Sequence, residues 1–223
     1  LLLCQLSLSA QITPDFSASA TEGCGNLQVQ FSDLSTSLSG NIVAWEWDLA
    51  GVASTAQNPG RNFTSPGSYT ICLKVTDSSG ATDSICLKDY IKVYHLPQAA
   101  FQWMPGDGCA PLEVTFWDQS VPGDAPVQEW NWGLGGSCGV VNQSQADTVV
   151  CQYTLPDEYS ITLIVEDTNG CSDAVTLPSV ISVKEVPEVQ ISASATTSCE
   201  LPFEVIFTNE NPNTDWDFSW DFG

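Results

Sequence analysis

From Val43 to Leu49 the chain alternates: Val43, Trp45, Trp47 and Leu49 fall on every second residue, with Ala44, Glu46 and Asp48 between them. Side chains alternate faces along a strand, so this run predicts a strand with one apolar and one polar face. Two indoles on one face bring a large apolar area, which belongs in the middle of a sandwich core. The pattern returns at Trp130, Trp132 and Leu134, and again at Trp216, Phe218, Trp220 and Phe222. Further alternating runs surround the first copy: Phe16, Ala18 and Ala20; Leu27, Val29 and Phe31; Tyr69, Ile71, Leu73 and Val75; Ile85, Leu87, Ile91 and Val93. Between them, Cys24-Gly25-Asn26 predicts a turn, 33–40 a Ser-rich loop and 51–66 a polar, turn-rich connection. Asp77-Ser78-Ser79-Gly80 predicts a hairpin turn. No segment has helical period, so the fold class is all-β.

The repeat has a measurable interval. Phe101, Cys109, Phe116, Trp130 and Trp132 each lie 85 residues after Phe16, Cys24, Phe31, Trp45 and Trp47. Tyr159, Asp167 and Gly170 each lie 90 residues after Tyr69, Asp77 and Gly80. The five extra residues fall between Trp132 and Tyr159, where Cys138 and Cys151 also lie. A third copy starts after Pro187, with Cys199, Phe203, Val205 and Phe207 ahead of the last tryptophan strand. About seven short strands in ~90 residues, with a tryptophan on the third, is the pattern of an immunoglobulin-like sandwich. The expected division is therefore 1–11, 12–95, 96–186 and 187–223, the last being the first part of a third sandwich in a longer protein. Trp45, Trp47, Tyr69, Trp130, Trp132, Tyr159 and Trp220 are the expected core. Trp47 and Trp132 should lie against Tyr69/Ile71 and Tyr159/Ile161 of a facing strand. The linkers 94–99 and 184–188 each carry one proline and no glycine, too short and stiff for flexible tethers.

The units resemble PKD domains, whose mark is a W-D-F-G-D-G run after the third strand. Here it reads Trp47-Asp48-Leu49-Ala50-Gly51, Trp132-Gly133-Leu134-Gly135-Gly136 and Trp220-Asp221-Phe222-Gly223, so its second half is altered in both complete copies. Better kept are Asn58-Pro59, Pro66-Gly67-Ser68-Tyr69-Thr70 and Val75-Thr76-Asp77 before Gly80, with Tyr159, Val165 and 167–173 in the second copy. The Cys109-Ala110-Pro111-Leu112 and Asn169-Gly170-Cys171 variants look like those of secreted Bacteroidota surface proteins. The resemblance implies tandem extracellular sandwiches of an adhesin or of a multidomain secretion substrate, and it is specific for fold rather than function.

Charge narrows the partners. Five basic residues against 27 acidic ones give −22, which disfavours nucleic acid and anionic membrane. No run reaches the ~20 apolar residues of a membrane span. Nine cysteines beside a single histidine point to disulfides and an oxidising compartment. The first ten residues, Leu1-Leu2-Leu3 through Ser9-Ala10, look like the end of a secretory h-region with small residues before a cleavage; Leu3 is too bulky to make Cys4 a lipoprotein site.

No catalytic or cofactor-binding residue is expected. His95 sits in a linker, no C-x2-C pair offers a thiolate cage, and a small sandwich offers no deep cleft. Loop acids Asp77, Asp83, Asp167 and Asp173 could hold structural calcium, yet Asp at the start of a turn also binds its own backbone. Trp117 follows the inward Phe116 and so faces outward, either as a contact for a sugar or protein or as a cover for its own sandwich edge. The expected partners are further repeats of the same kind, then self-assembly or cell-surface and matrix molecules. The expected function is a stiff extracellular stalk or filament; the alternatives are a carbohydrate- or protein-binding module, or a spacer of a larger secreted enzyme.

Three disulfides are expected. Cys72 and Cys86 fall on strands flanking the Asp77–Gly80 turn, near-opposite across the hairpin. Cys138 and Cys151 share the region of the insertion. For Cys171 two pairings compete. Cys109 in its own sandwich is one, but the turn before the second strand and the last hairpin turn lie at opposite ends, more than ~15 Å apart, against a ~7 Å limit between Cα atoms. Cys24 of the preceding sandwich is the other, since in a head-to-tail array one sandwich's trailing end abuts the next one's leading end. Ala81, in place of Cys171, then marks a first repeat with no predecessor to join.

Overall fold

The computed structural model describes residues 12–143, 148–194, 197, 202, 204–210 and 219–221. The expected signal remnant with Cys4, and Cys199, Phe203, Trp216, Phe218 and Phe222 of the third repeat, lie outside the described residues. No helix occurs among them, and so none long and apolar enough to cross a membrane.

The first sandwich comprises β1 (Ile12–Thr13), β2 (Phe16–Ala18), β3 (Glu22–Cys24), β4 (Leu27–Asp33), β5 (Thr36–Ser37), β6 (Ile42–Leu49), β7 (Ala53–Ser54), β8 (Gly60–Phe63), β9 (Gly67–Asp77) and β10 (Thr82–Tyr94). One sheet runs β3-β10-β9-β6-β7, the facing one β2-β4-β8, and β1 pairs with β5 at the rim. The second sandwich repeats this with β11 (Phe101–Met104), β12 (Asp107–Cys109), β13 (Leu112–Asp118), β14 (Val127–Gly135), β15 (Gly139–Gln143), β16 (Thr148–Tyr153), β17 (Asp157–Asp167) and β18 (Ser172–Lys184). Its sheets run β12-β18-β17-β14-β15 and β11-β13-β16, the same order strand for strand. In the third repeat, β19 (Ile191–Ala193) pairs with β20 (Phe207–Asn209) as β11 pairs with β13.

Alternation places the core between the sheets. Trp47 is 2 % exposed and Trp132 is fully buried. Their surroundings correct the expectation: β9 and β17 are the hydrogen-bonded neighbours of the tryptophan strands, with Trp47 opposite Leu73 and Trp132 opposite Leu163 in the same sheet. The indoles instead meet the facing sheet, Trp47 on Phe16 and Phe31 at 5.2 and 5.8 Å between centroids, Trp132 on Phe101 and Phe116 at 5.5 and 6.1 Å. Tyr69 and Tyr159 pack further along, on Phe63 and Tyr153. Trp45 and Trp130 are half-buried at the edge of each core. Val43 leaves the apolar face altogether, because a bulge between Ile42 and Ala44 turns it to solvent and puts Ile42 on the core. Trp220, expected in the core, is 42 % exposed. It lies 6.1 Å from Phe207, as Trp132 lies from Phe116, but the strands equivalent to β16–β18 have no counterpart among the described residues of the third repeat.

Two stretches expected as turns contain strands. β8, inside 51–66, brings Phe63 into the core. β3, at the expected Cys24 turn, runs parallel to the end of β10, with Cys24 opposite Tyr94. That pairing fixes Cys24 beside the point where the chain leaves the first sandwich.

Candidate functional site at the interdomain joint

Several specific contacts gather where the first sandwich meets the second. Pro97, 85 residues after Ile12, is buried as Ile12 is, and Gln98 pairs with Val121 where Thr13 pairs with Thr36. The linker is thus built into the second sandwich as its first strand segment. Asp173 in β18 accepts the Ala99 N–H at 2.8 Å.

The loop after β13 closes on the other side of the linker. Asp124 accepts the His95 N–H through Oδ2 at 2.8 Å and faces His95 Nδ1 through Oδ1 at 3.0 Å. The N–H bond from His95 holds the Asp124 carboxyl below the usual carboxylate range. Gly123 is required here, since a Cβ would run into the His95 carbonyl. On the first sandwich, Tyr94 donates its hydroxyl to Glu22 at 2.8 Å, and that bond to a carboxylate raises the phenol's pKa.

A covalent bond crosses the same joint. Cys24 and Cys171 are disulfide-bonded with Cα atoms 5.5 Å apart. Cys171 is fully buried, while Cys109 carries a free, exposed thiol. Two local disulfides accompany it. Cys72 and Cys86 sit directly opposite in the β9–β10 ladder, and Cys138 joins the turn after β14 to Cys151 on β16.

The hairpin aspartates explain why the joint is built this way. Asp77 is buried; its Oδ1 takes the N–H groups of Ser79 and Ala81 and the Ser79 hydroxyl, while Oδ2 takes the hydroxyls of Ser37 and Ser39. The hydroxyls of Ser79 and Ser37 chiefly hold its pKa far below the ordinary value. Asp167 repeats the Oδ1 half, with Asn169 and Cys171 N–H groups at 2.9 Å each. Its Oδ2 is buried without a hydrogen-bond partner among the described residues. The positions of Ser37 and Ser39 are taken by Pro122 and Asp124, 85 residues on. The loop that covers the hairpin aspartate in the first sandwich grips the linker in the second.

Other candidates fall elsewhere. Asp83 accepts its neighbour's Ser84 N–H. Trp117 is half-buried on the outer face of the β11-β13-β16 sheet, its Nε1 donating to Gln102 at 3.2 Å. No group of three or more His, Cys, Asp or Glu gathers into a metal-holding cluster among the described residues. Asp124, Gly123 and Asp173 as joint residues were not legible in the sequence; the one available signal was the replacement of Ser39 by an acid at 85 residues' distance.

This architecture defines a class: immunoglobulin-like all-β sandwiches in tandem. Residues 11–93 match the PKD domain family model, and the first sandwich belongs to the PKD domain family. The chain is 28% identical over 155 residues to the pre-pro-metalloprotease PrtV of Vibrio cholerae, covering 68% of this chain and 16% of PrtV. It therefore spans about one sixth of that relative's length. Among solved structures, the PKD1 domain of V. cholerae PrtV is 33% identical over 36% of this chain and 93% of that domain, with a TM-score of 0.32. The PKD1 domain of Vibrio anguillarum Epp is 28% identical over 37% of this chain and 94% of that domain, with a TM-score of 0.33.

Proposed function

We propose that this segment is a load-bearing spacer of an extracellular surface protein, a stack of PKD-like sandwiches that holds an adhesive or catalytic part away from the cell. It does no chemistry itself. Three disulfides suit an oxidising, extracellular setting. The observation that carries the reading is the Cys24–Cys171 bond, whose partners are 147 residues apart in sequence. Tension applied at the two ends of the chain passes through this bond. The intervening residues, most of both sandwiches, lie outside the load path. At about 3.4 Å per extended residue, roughly 500 Å of chain is withheld from extension.

Single-molecule pulling tests this. The oxidised chain is expected to lack any step approaching the roughly 280 Å released by a whole sandwich of about 83 residues; the reduced chain should show two such steps. Whole-sandwich steps in the oxidised chain would refute the spacer mechanism. The similarity to a metalloprotease precursor favours one second reading, in which the same spacer is appended to a secreted enzyme whose catalysis lies outside this segment.

A further inference from the structure

We propose that Cys109 is a covalent docking site for the hairpin of a following sandwich, whose partner is a cysteine directly after an Asp-x-x-Gly turn. This deepens the spacer reading and rests on it. Cys24, already bonded in this way, is the precedent, and Cys109 reproduces its setting point by point. Cys24 stands opposite Tyr94 in a parallel pair, and Cys109 stands opposite Lys184 in the same pairing. The next residue donates its N–H back to the departing strand in both, Gly25 to the Tyr94 carbonyl at 3.1 Å and Ala110 to that of Lys184 at 2.9 Å. The residue before is a glycine pressed on a leucine in both; a Cβ would lie 2.7 Å from Leu27 at Gly23 and 2.5 Å from Leu112 at Gly108.

The receiving end is equally regular. Cys171 N–H bonds Asp167 Oδ1 and its carbonyl accepts the Asp167 N–H, both at 2.9 Å. The first sandwich makes the same two bonds at Ala81, at 3.1 and 3.0 Å. The spacing of the joint is also kept: β11 begins seven residues after Tyr94 and β19 seven after Lys184, with Pro97 and Pro187 at the same place. A sandwich that follows at this spacing and carries cysteine at the Cys171 position brings it to Cys109. The bond forms by thiol–disulfide exchange. The two thiols give up two protons and two electrons, and a disulfide oxidant, such as oxidised glutathione or an oxidoreductase disulfide, is reduced to two thiols.

The test inserts a second copy of residues 95–184 after Lys184 of the full chain, which supplies Cys109 with a hairpin cysteine, a linker and the Asp124 and Asp173 contacts. After folding in a glutathione redox buffer, the chain is treated with iodoacetamide without reduction and peptide-mapped. The expected result is a Cys109–Cys171 peptide pair, with one of the two Cys109 thiols alkylated. Replacing Cys171 of the inserted copy by Ala should leave both alkylated. If Cys24–Cys171 forms and both Cys109 thiols still react, the docking role is overturned while the spacer joint stands. If Cys24–Cys171 is also absent, both readings fall.

Discussion

Trp45 and Trp132, on the equivalent strands β6 and β14, share a sequence pattern but not an environment. Trp132 is fully buried and its Nε1 has no hydrogen-bond partner among the described residues, so its contribution there comes from apolar area and close contact. Trp132→Ala should therefore destabilise the second sandwich by about 3–5 kcal/mol in urea unfolding. Trp45 is half-buried and donates its Nε1 to Asp33 at 2.7 Å. Trp45→Phe should cost about 1 kcal/mol, the loss of one hydrogen bond. Equal losses at the two positions would mean that the indoles are held in some other way. Burial of Trp47 and Trp132 was legible because alternation and side-chain size report it directly. The exposure of Val43 was not, since a bulge leaves no mark on the hydrophobic pattern.

At the scale of elements, the β9–β10 hairpin depends on one carboxylate with donors on both oxygens. Because the folded Asp77 pKa is depressed, its contribution is fully present above the ordinary carboxylate range. It is lost as pH falls through the depressed folded value. Acid unfolding should therefore set in at higher pH for a Ser37→Ala/Ser39→Ala variant, whose Asp77 keeps only the Oδ1 donors. An unchanged acid limb of the stability–pH curve would show that the hydroxyls add nothing. The sequence offered the Asp-x-x-Gly turns and the cross-strand Cys72/Cys86 pair, because turn chemistry and pairing register are local. It hid β3 and β8, two short strands whose pairings are set by the rest of the sandwich.

At the scale of the whole molecule, the joint combines a buried linker proline, two aspartates on linker N–H groups and the Cys24–Cys171 bond. Head-to-tail topology made the disulfide legible, since it compares only which end of a sandwich each turn occupies. The grip of Asp124 on His95 was illegible, because it needs a loop that departs from its counterpart in the first repeat. These contacts constrain the orientation of one sandwich on the next, which is the central claim. Residual dipolar couplings of the oxidised chain, measured at neutral pH in a dilute aligning medium, test it most directly. A single alignment tensor should fit the amides of both 12–94 and 99–184. Two tensors differing in magnitude or direction beyond their error would mean that the sandwiches reorient freely, and would contradict the account.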